Sequence, residues 1–289
     1  MMPYLLRLTL LCALLLALTP AARAADDKPL TLGFMPYLNA KELLAKYAPL
    51  ADYLGKAIGR PVQVVVAKDY AEHIRNTGED KLDISFLGGS PYVVIGDQYG
   101  RKPLLARYEF NRQPTFRAVI FTAKNSAIHK LSEMRGRAMA FGSAKSTLST
   151  QVPLYMLMQA GVGLKDLGSY EHLRNHENVI LGVELGDFDA GAVAEEVYRE
   201  HGANRDVRIL AESQSLSTHV FVTRANMPAS LRERIAKALL NASTTPVGQE
   251  ALRAIGGTLT GFAPVADSDY DLHRTILSDV LPALRAAQQ

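Results

Sequence analysis

Hydrophobic and polar positions after Pro29 alternate between strand-like and helix-like segments. Three short apolar runs are typical of buried strands: LTLGFM at 30–35, VQVVVA at 62–67 and DISFLG at 83–88. Between the first two runs, apolar residues recur at helical spacing, at Leu43, Tyr47, Leu50 and Leu54. A short helix near 70–77 and a helix beginning at Ser90-Pro91 continue the alternation. This rhythm predicts a parallel, doubly wound α/β sheet.

The second half of the chain repeats the pattern and then closes with helices. Strands are expected at 117–124 and 137–141, and the alternation continues through NVILGV, DAGAVA and VRILAE. A returning strand at 219–224 precedes helical segments near 228–242, 246–255 and 267–286. Two α/β units without a linker-like stretch predict two lobes joined by crossover strands. Lobed α/β proteins bind ligands in the crevice at the carboxyl ends of their strands.

The first 24 residues have the features of a secretory signal peptide. An arginine precedes an apolar stretch from Leu8 to Leu18, and Ala22-Arg23-Ala24 fits the cleavage pattern. We therefore expect export, with cleavage near Ala24. Cys12 is the one cysteine of the chain, so the mature protein would contain no disulfide, thiolate metal site or cysteine nucleophile.

Charge and composition narrow the class of partner. Removing Arg7 and Arg23 lowers the formal net charge from +3 to +1, because residues 1–24 contain no acidic residue. The remaining charges are interspersed, so nucleic acid is not expected as a partner. The mature chain, with 48% hydrophobic residues in the full sequence, is long enough for one large domain or two ordinary ones.

A dense group of hydroxyl side chains lies where an apolar run ends and a helix is expected to begin. The group comprises Ser143, Ser146, Thr147, Ser149 and Thr150, and Lys145 lies among them. The first turn of a helix presents unpaired N–H groups and the positive end of the helix dipole, which together suit an anion. Helix capping by one hydroxyl is the alternative reading of the same group.

Four segments, in this order, carry a resemblance to a known family: 49–74, 81–93, 143–153 and 175–193. PLADYLGKAIGRPVQVVVAKDYAEHI, KLDISFLGGSPYV, SAKSTLSTQVP and NHENVILGVELGDFDAGAV resemble the periplasmic binding proteins for phosphate, phosphite and phosphonates that serve ABC transporters, the PhnD-like family. The resemblance runs from about Leu30 to Arg224. It implies a two-lobed, type II periplasmic binding protein with a Venus-flytrap architecture.

The resemblance also implies where an oxyanion is bound. Tyr70 matches a tyrosine whose hydroxyl reaches a ligand oxygen, and His176 matches a histidine that donates to the oxyanion. Ser146 and Thr147 match the first two hydroxyls of a Ser-Thr-Ser motif. Leu148 replaces the third hydroxyl, and Ser149 is a candidate to compensate for it.

Three further candidates follow from the resemblance and include two departures from the family. Phe116 falls where the family has a second site aromatic, and it lacks the phenol donor. Glu196 and His219 fall where phosphonate binders use two acids to hold an ammonium group. Because one acid is missing, an aminoalkyl phosphonate is disfavoured and a small oxyanion or a different ligand gains weight.

Two chemical alternatives compete with oxyanion binding. EHLRNHE places His172 and His176 four residues apart, and on a helix both imidazoles would face one side and offer metal ligands. Ser146, His176 and Asp189 resemble a hydrolase triad, although no Gly-x-Ser-x-Gly elbow is present. We expect neither a metal site, a cofactor nor catalysis.

The sequence therefore predicts a non-enzymatic solute-binding protein, expected to be a monomer, that delivers a small phosphorus oxyanion to an ABC transporter permease. The alternative is a periplasmic partner of a sensor kinase that binds another small anion. We expect residues 25–117 and 222–289 to form lobe 1 and residues 118–221 to form lobe 2. Both the permease and the sensor kinase would recognise the ligand-induced closure of the lobes.

Overall fold

The computed structural model describes residues 28–287. The predicted signal peptide and its cleavage site near Ala24 lie outside the described residues. Within the described range, no helix combines the length and the hydrophobicity that crossing a bilayer requires.

The first sheet has six strands in the order β13-β4-β12-β3-β1-β2. They are β1 (Leu30–Phe34), β2 (Val62–Val66), β3 (Ile84–Leu87), β4 (Leu104–Phe110), β12 (Val220–Thr223) and β13 (Leu259–Ala263). β1 runs parallel to β2 and β3, whereas β12 pairs antiparallel with β3 and β4, and β13 pairs antiparallel with β4. The sheet is therefore mixed. The parallel arrangement predicted for residues 30–88 is confirmed for β1, β2 and β3, and β12 and β13 enter in the opposite direction because they return from the second half of the chain.

The second sheet has five strands in the order β10-β6-β9-β7-β8. They are β6 (Ala118–Ala123), β7 (Ala138–Phe141), β8 (Ser169–His172), β9 (Ala190–Ala194) and β10 (Val207–Glu212). β7 runs parallel to β8 and β9, and β6 runs antiparallel to β9 and β10. This sheet is mixed as well.

Nine α-helices flank the sheets in the described part of the chain. They are α1 (Ala40–Ile58), α2 (Tyr70–Gly78), α3 (Gly89–Tyr99), α4 (Val152–Gln159), α5 (His176–Glu184), α6 (Glu195–Val197), α7 (Ala229–Leu240), α8 (Pro246–Ile255) and α9 (Asp271–Ala286). α1 shows why the boundaries fall where they do. The Asn39 side chain caps its start by accepting from the Glu42 N–H, and Gly59 ends it with a φ of 65°.

A two-stranded ribbon carries the chain between the sheets. β5 (Thr115–Phe116) pairs antiparallel with β11 (Leu216–Ser217). β5 leads into β6, and β11 leads back into β12, which pairs along its length in the first sheet. The chain thus returns to the first sheet at β12. The lobe boundaries themselves stay a prediction.

Candidate functional site

The cluster of hydroxyl side chains found in the sequence lies at a π-helical turn, Thr147–Gln151, that leads into α4. Ser146 caps this turn, and Thr147, Ser149 and Thr150 lie on it. Two of its hydroxyls donate to backbone carbonyls of the second sheet unit. Ser149 Oγ donates to the Ala192 carbonyl at 2.6 Å, and Thr150 Oγ1 donates to the Gly142 carbonyl at 3.2 Å. The hydroxyl proton of Ser149 is therefore not available to a ligand, which argues against this candidate as a donor.

Ser146 and Thr147 instead contact elements of the first sheet. Ser90, at the start of α3, donates its N–H to Thr147 Oγ1 at 3.0 Å. The Tyr70 side chain, at the start of α2, lies close to the Ser146 side chain. Because Thr147 Oγ1 accepts from Ser90, its own proton remains free to donate. Both side chains are almost fully buried at this junction.

The backbone amides of this turn are only partly free. Ser146 donates its N–H to the Ser143 carbonyl at 2.8 Å, and Ser149 donates its N–H to Ser146 Oγ at 3.3 Å. These bonds cap the turn. Helix geometry leaves the amides of Thr147 and Leu148 as the first-turn donors without an intrahelical acceptor. An anion at this position would receive those two amides and two hydroxyls.

His176 is the first residue of α5, and it bridges the two sheets through its backbone. Its N–H donates to the Tyr37 carbonyl at 3.1 Å. The imidazole is buried, and neither ring nitrogen has a hydrogen-bond partner among residues 28–287. Burial lowers the pKa of His176 to about 3. The neutral ring offers one N–H donor and one acceptor to a group entering the cleft.

Phe116 and His219 form an aromatic wall beside His176. The His219 ring meets Phe116 edge-on at 4.9 Å and stacks on Phe86 at 4.7 Å. Tyr37 lies between the two histidines, with ring centroids 6.1 Å from His176 and 6.3 Å from His219. His219 Nδ1 is buried without a partner among the described residues, and burial lowers the pKa of this ring to about 3.

Glu196, on the short helix α6, faces two cavities at the junction of the sheets. One, of ≈210 Å³, is also lined by Tyr37, Tyr47, Phe86, Tyr108 and His219. The other, of ≈330 Å³, is lined by Phe116 and Arg199 among others. Glu196 Oε2 is buried without a partner in residues 28–287, and burial raises the pKa of the carboxyl group to about 7.

The structure adds site residues that the sequence patterns missed. Tyr37, Tyr47 and Tyr108 form a chain of phenols: Tyr108 donates to the Tyr47 hydroxyl at 3.0 Å, and the Tyr37 and Tyr47 hydroxyls are 2.8 Å apart. Ser90 Oγ is buried and unpartnered within the described range. A polar aromatic residue just after β1, at the carboxyl end of a central strand, was the available signal for Tyr37.

Neither the His172/His176 metal pair nor the Ser146–His176–Asp189 triad is formed in the described residues. His172 ends β8 and donates from Nδ1 to the Gly142 carbonyl at 2.8 Å, while His176 begins α5 after a turn. The two histidines therefore do not share a helix face, and the metal-site alternative built on that spacing is not formed by them. Asp189 accepts from the Ala138 N–H at 2.8 Å and lies 3.8 Å from Arg137. It is not hydrogen-bonded to His176, so the described residues contain no Ser146–His176–Asp189 triad.

The set of donors at the sheet junction agrees with a family-level match. Residues 32–270 match the sequence profile of a family described as ABC transporter, phosphonate, periplasmic substrate-binding protein. The chain belongs to this family. The family expected from the four sequence segments is confirmed.

Two curated proteins are similar in sequence to this chain at low identity. The "Probable ABC transporter phosphite binding protein PhnD1" of Prochlorococcus marinus (strain MIT 9301) is 25% identical over 64% of this chain and 64% of the relative. The "Phosphate-import protein PhnD" of Mycolicibacterium smegmatis is 23% identical over 88% of this chain and 90% of the relative.

A solved structure has a fold similar to that of this chain. PhnD1 from Prochlorococcus marinus in complex with methylphosphonate superposes with a TM-score of 0.79 at 21% identity, covering 88% of this chain and 98% of that one. At this identity the likeness concerns the fold. The expected two-lobed, type II periplasmic binding protein architecture is confirmed.

Proposed function

We propose that this protein binds a small phosphorus oxyanion, namely phosphate, phosphite or a phosphonate, in the cleft between its two sheets. The observation that carries the proposal is the convergence of donors that lack protein acceptors. The Thr147 hydroxyl retains a free proton, and His176 is buried with two unpartnered ring nitrogens. Buried polar groups without partners are costly, so their presence at one junction favours a ligand that satisfies them.

The chemistry of these donors suits an oxyanion. The first-turn amides and the Ser146 and Thr147 hydroxyls are neutral, and they point from the start of a helical segment. They compensate a desolvated anion by hydrogen bonds and by the helix dipole without a fixed cation. Tyr70 adds a phenol from the start of α2, close to the Ser146 side chain.

The second part of the ligand would meet a different environment. Phe116, His219 and Glu196 line the aromatic side of the cleft, at which the family members for aminoalkyl phosphonates present two acids. Here one of the two positions holds a histidine that burial keeps neutral. This composition supports a phosphorus oxyanion with a small or absent substituent over one that carries an ammonium group.

We infer that the protein is exported, that it works as a periplasmic monomer and that it delivers its ligand to an ABC transporter permease without catalysing a reaction. Family membership supports the transport role and the periplasmic location. The absence of an orienting carboxylate on His176 among the described residues supports binding without catalysis. A periplasmic domain of a sensor kinase is the alternative partner, since it would read the same closure of the lobes.

A thermal-shift screen of purified residues 25–289 tests the ligand class. The panel contains phosphate, phosphite, methylphosphonate, 2-aminoethylphosphonate, sulfate and acetate. A ligand far above its Kd raises the melting temperature, because it binds only the folded state; at 100 times Kd the gain is about 2.7 kcal/mol. We expect at least one of the first three to stabilise the protein more than sulfate or acetate does. Stabilisation by acetate alone, or by no phosphorus compound, would contradict the proposal.

A further inference from the structure

A cluster of metal-ligating side chains lies across the junction of the sheets, separate from the hydroxyl turn. Glu42 lies in the first turn of α1, and Glu200 and His201 lie in the turn that follows α6. One ligand atom from each residue lies within 4.8 Å of the other two. The residues come from both sheet units, so whatever binds them joins α1 to the segment after β9.

The distances within this cluster approach those of a metal site. His201 Nε2 lies 3.3 Å from Glu42 Oε1 and 3.9 Å from Glu200 Oε2. Ligand atoms at about 2.0–2.1 Å from a tetrahedral zinc ion are roughly 3.3 Å apart. The first separation already has this value, and the second needs a rotation of one surface carboxylate. His201 Nε2 is buried and makes no hydrogen bond within the described residues, so its position is not explained by a hydrogen bond to Glu42.

The charge of the surroundings also favours a cation. A fourth residue, Glu177 on α5, is drawn close because Asn39 Nδ2 donates to both Glu42 Oε2 at 3.1 Å and Glu177 Oε2 at 3.0 Å. Lys46 offsets one carboxylate, its Nζ lying 2.9 Å from Glu200 Oε2. Three carboxylates and one ammonium group leave a formal charge of −2 when His201 is counted as neutral.

We propose that Glu42, Glu200 and His201 bind a zinc-class divalent cation that links the two lobes. One imidazole and two carboxylates are the ligand types that Zn²⁺ accepts, whereas Ca²⁺ and Mg²⁺ prefer oxygen ligands only. The Glu42, His201 and Glu200 side chains are 27%, 23% and 45% exposed, so the cluster lies at the surface although His201 Nε2 itself is buried.

Lys46 is the competitor of the ion. Its ammonium group donates to Glu200 Oε2 at 2.9 Å, and an ion bound by Glu200 must compete with this contact. The four-carbon stem of a lysine allows this movement. The proposal therefore predicts that removal of the ammonium group strengthens zinc binding, whereas a plain ion-pair cluster predicts only a loss of stability.

The test is calorimetric titration of the EDTA-treated protein with ZnCl₂, together with its melting temperature with and without zinc. No oxyanion is present, so the outcome is independent of the proposed ligand. We expect one zinc ion per chain and a rise in melting temperature that EDTA reverses. His201→Ala and Glu42→Gln should each weaken zinc binding about 10-fold or more, and Lys46→Met should tighten it.

His129→Ala is the matched control, because His129 is an exposed histidine elsewhere on the second sheet unit. It should bind zinc as the unaltered protein does. Melting temperatures in EDTA establish that each variant is folded. The proposal is overturned if the unaltered protein shows no EDTA-reversible stabilisation, or if zinc affinity is unchanged in both His201→Ala and Glu42→Gln.

Discussion

At the residue scale, Thr147 combines two properties that an anion site needs. Its oxygen accepts the Ser90 N–H across the sheet junction, and its proton remains free to donate. Ser146 precedes it, and Ser146 Oγ accepts from the Ser149 N–H at 3.3 Å. Thr150, three positions further, has the same side chain but donates to the Gly142 carbonyl. Thr147 is therefore a candidate ligand donor, whereas Thr150 has a structural role.

Thr147→Val should weaken methylphosphonate binding. The change keeps the shape of the side chain and removes one donor to a buried anion, at a cost of about 1–3 kcal/mol, or roughly 5- to 150-fold in Kd. Thr150→Val is the control, and it should lower the melting temperature while leaving the Kd within about 2-fold. Equal affinities for Thr147→Val and the unaltered protein, measured by calorimetry, would make this threonine a helix cap only.

His176 should act as a neutral donor near pH 7, since burial lowers its pKa to about 3. The ratio of Kd values for His176→Asn and the unaltered protein cancels the titration of the ligand itself. We expect this ratio to be the same at about pH 6 and pH 8. If the ratio falls as pH rises, the histidine binds as an imidazolium whose charge is lost at the higher pH.

At the element scale, the start of α3 and the π-helical turn face each other across the cleft. Gly88 caps α3 with φ −70° and ψ 162°, a conformation open to any residue. A Cβ at this position would lie 2.9 Å from Thr147 Oγ1. A side chain here would therefore oppose the approach of the two elements rather than strain the backbone.

Gly88→Ala should lower ligand affinity several-fold, because the added methyl group holds Thr147 away from α3. Gly96→Ala, in the middle of the same helix, is the control. Its Cβ would meet nothing closer than Arg101 Cγ at 3.9 Å, and alanine should stabilise the helix by roughly 0.5–1 kcal/mol. Calorimetry and thermal unfolding of both variants separate the two effects. An unchanged Kd for Gly88→Ala would contradict the proposed closure.

Local periodicity predicted the elements whose signal is contained in a short stretch. β1, β2 and β3 and the helix with Tyr47 were found because each has its own apolar pattern. β4 and β13 were not predicted, since their pairing joins Phe110 to Leu259, far apart in the sequence. The π-helical turn was also beyond prediction. It decides that Ser149 faces the Ala192 carbonyl while Thr147 faces the other sheet, which hydroxyl composition alone does not encode.

At the scale of the whole molecule, the protein contains several histidines that folding buries without charge. Burial lowers the pKa to about 4 for His73 and to about 3 for His176, His219 and His273. In the unfolded chain these rings titrate near pH 6.5, so the unfolded state binds more protons below that pH. Glu196 acts in the opposite sense, because burial raises its pKa to about 7 and the folded state binds its proton first.

The melting temperature should therefore fall as pH is lowered from about 6.5 to about 4, since four histidines outweigh one carboxyl group. The histidine contribution is fully present above the unfolded pKa and is lost as pH approaches the folded values. Glu196→Gln should make the loss on acidification steeper, because it removes the group that gains stability there. A melting temperature that is constant or rises over this range would contradict the burial of neutral histidines.

The central claim is that an oxyanion occupies the junction between Thr147 and His176. A crystal structure of the protein with methylphosphonate tests it most directly. We predict density for the phosphonate group within hydrogen-bond distance of the Ser146 and Thr147 hydroxyls and of one His176 ring nitrogen, with Phe116 and His219 beside the methyl group. A phosphonate bound elsewhere, or an unoccupied junction at saturating ligand, would contradict the claim.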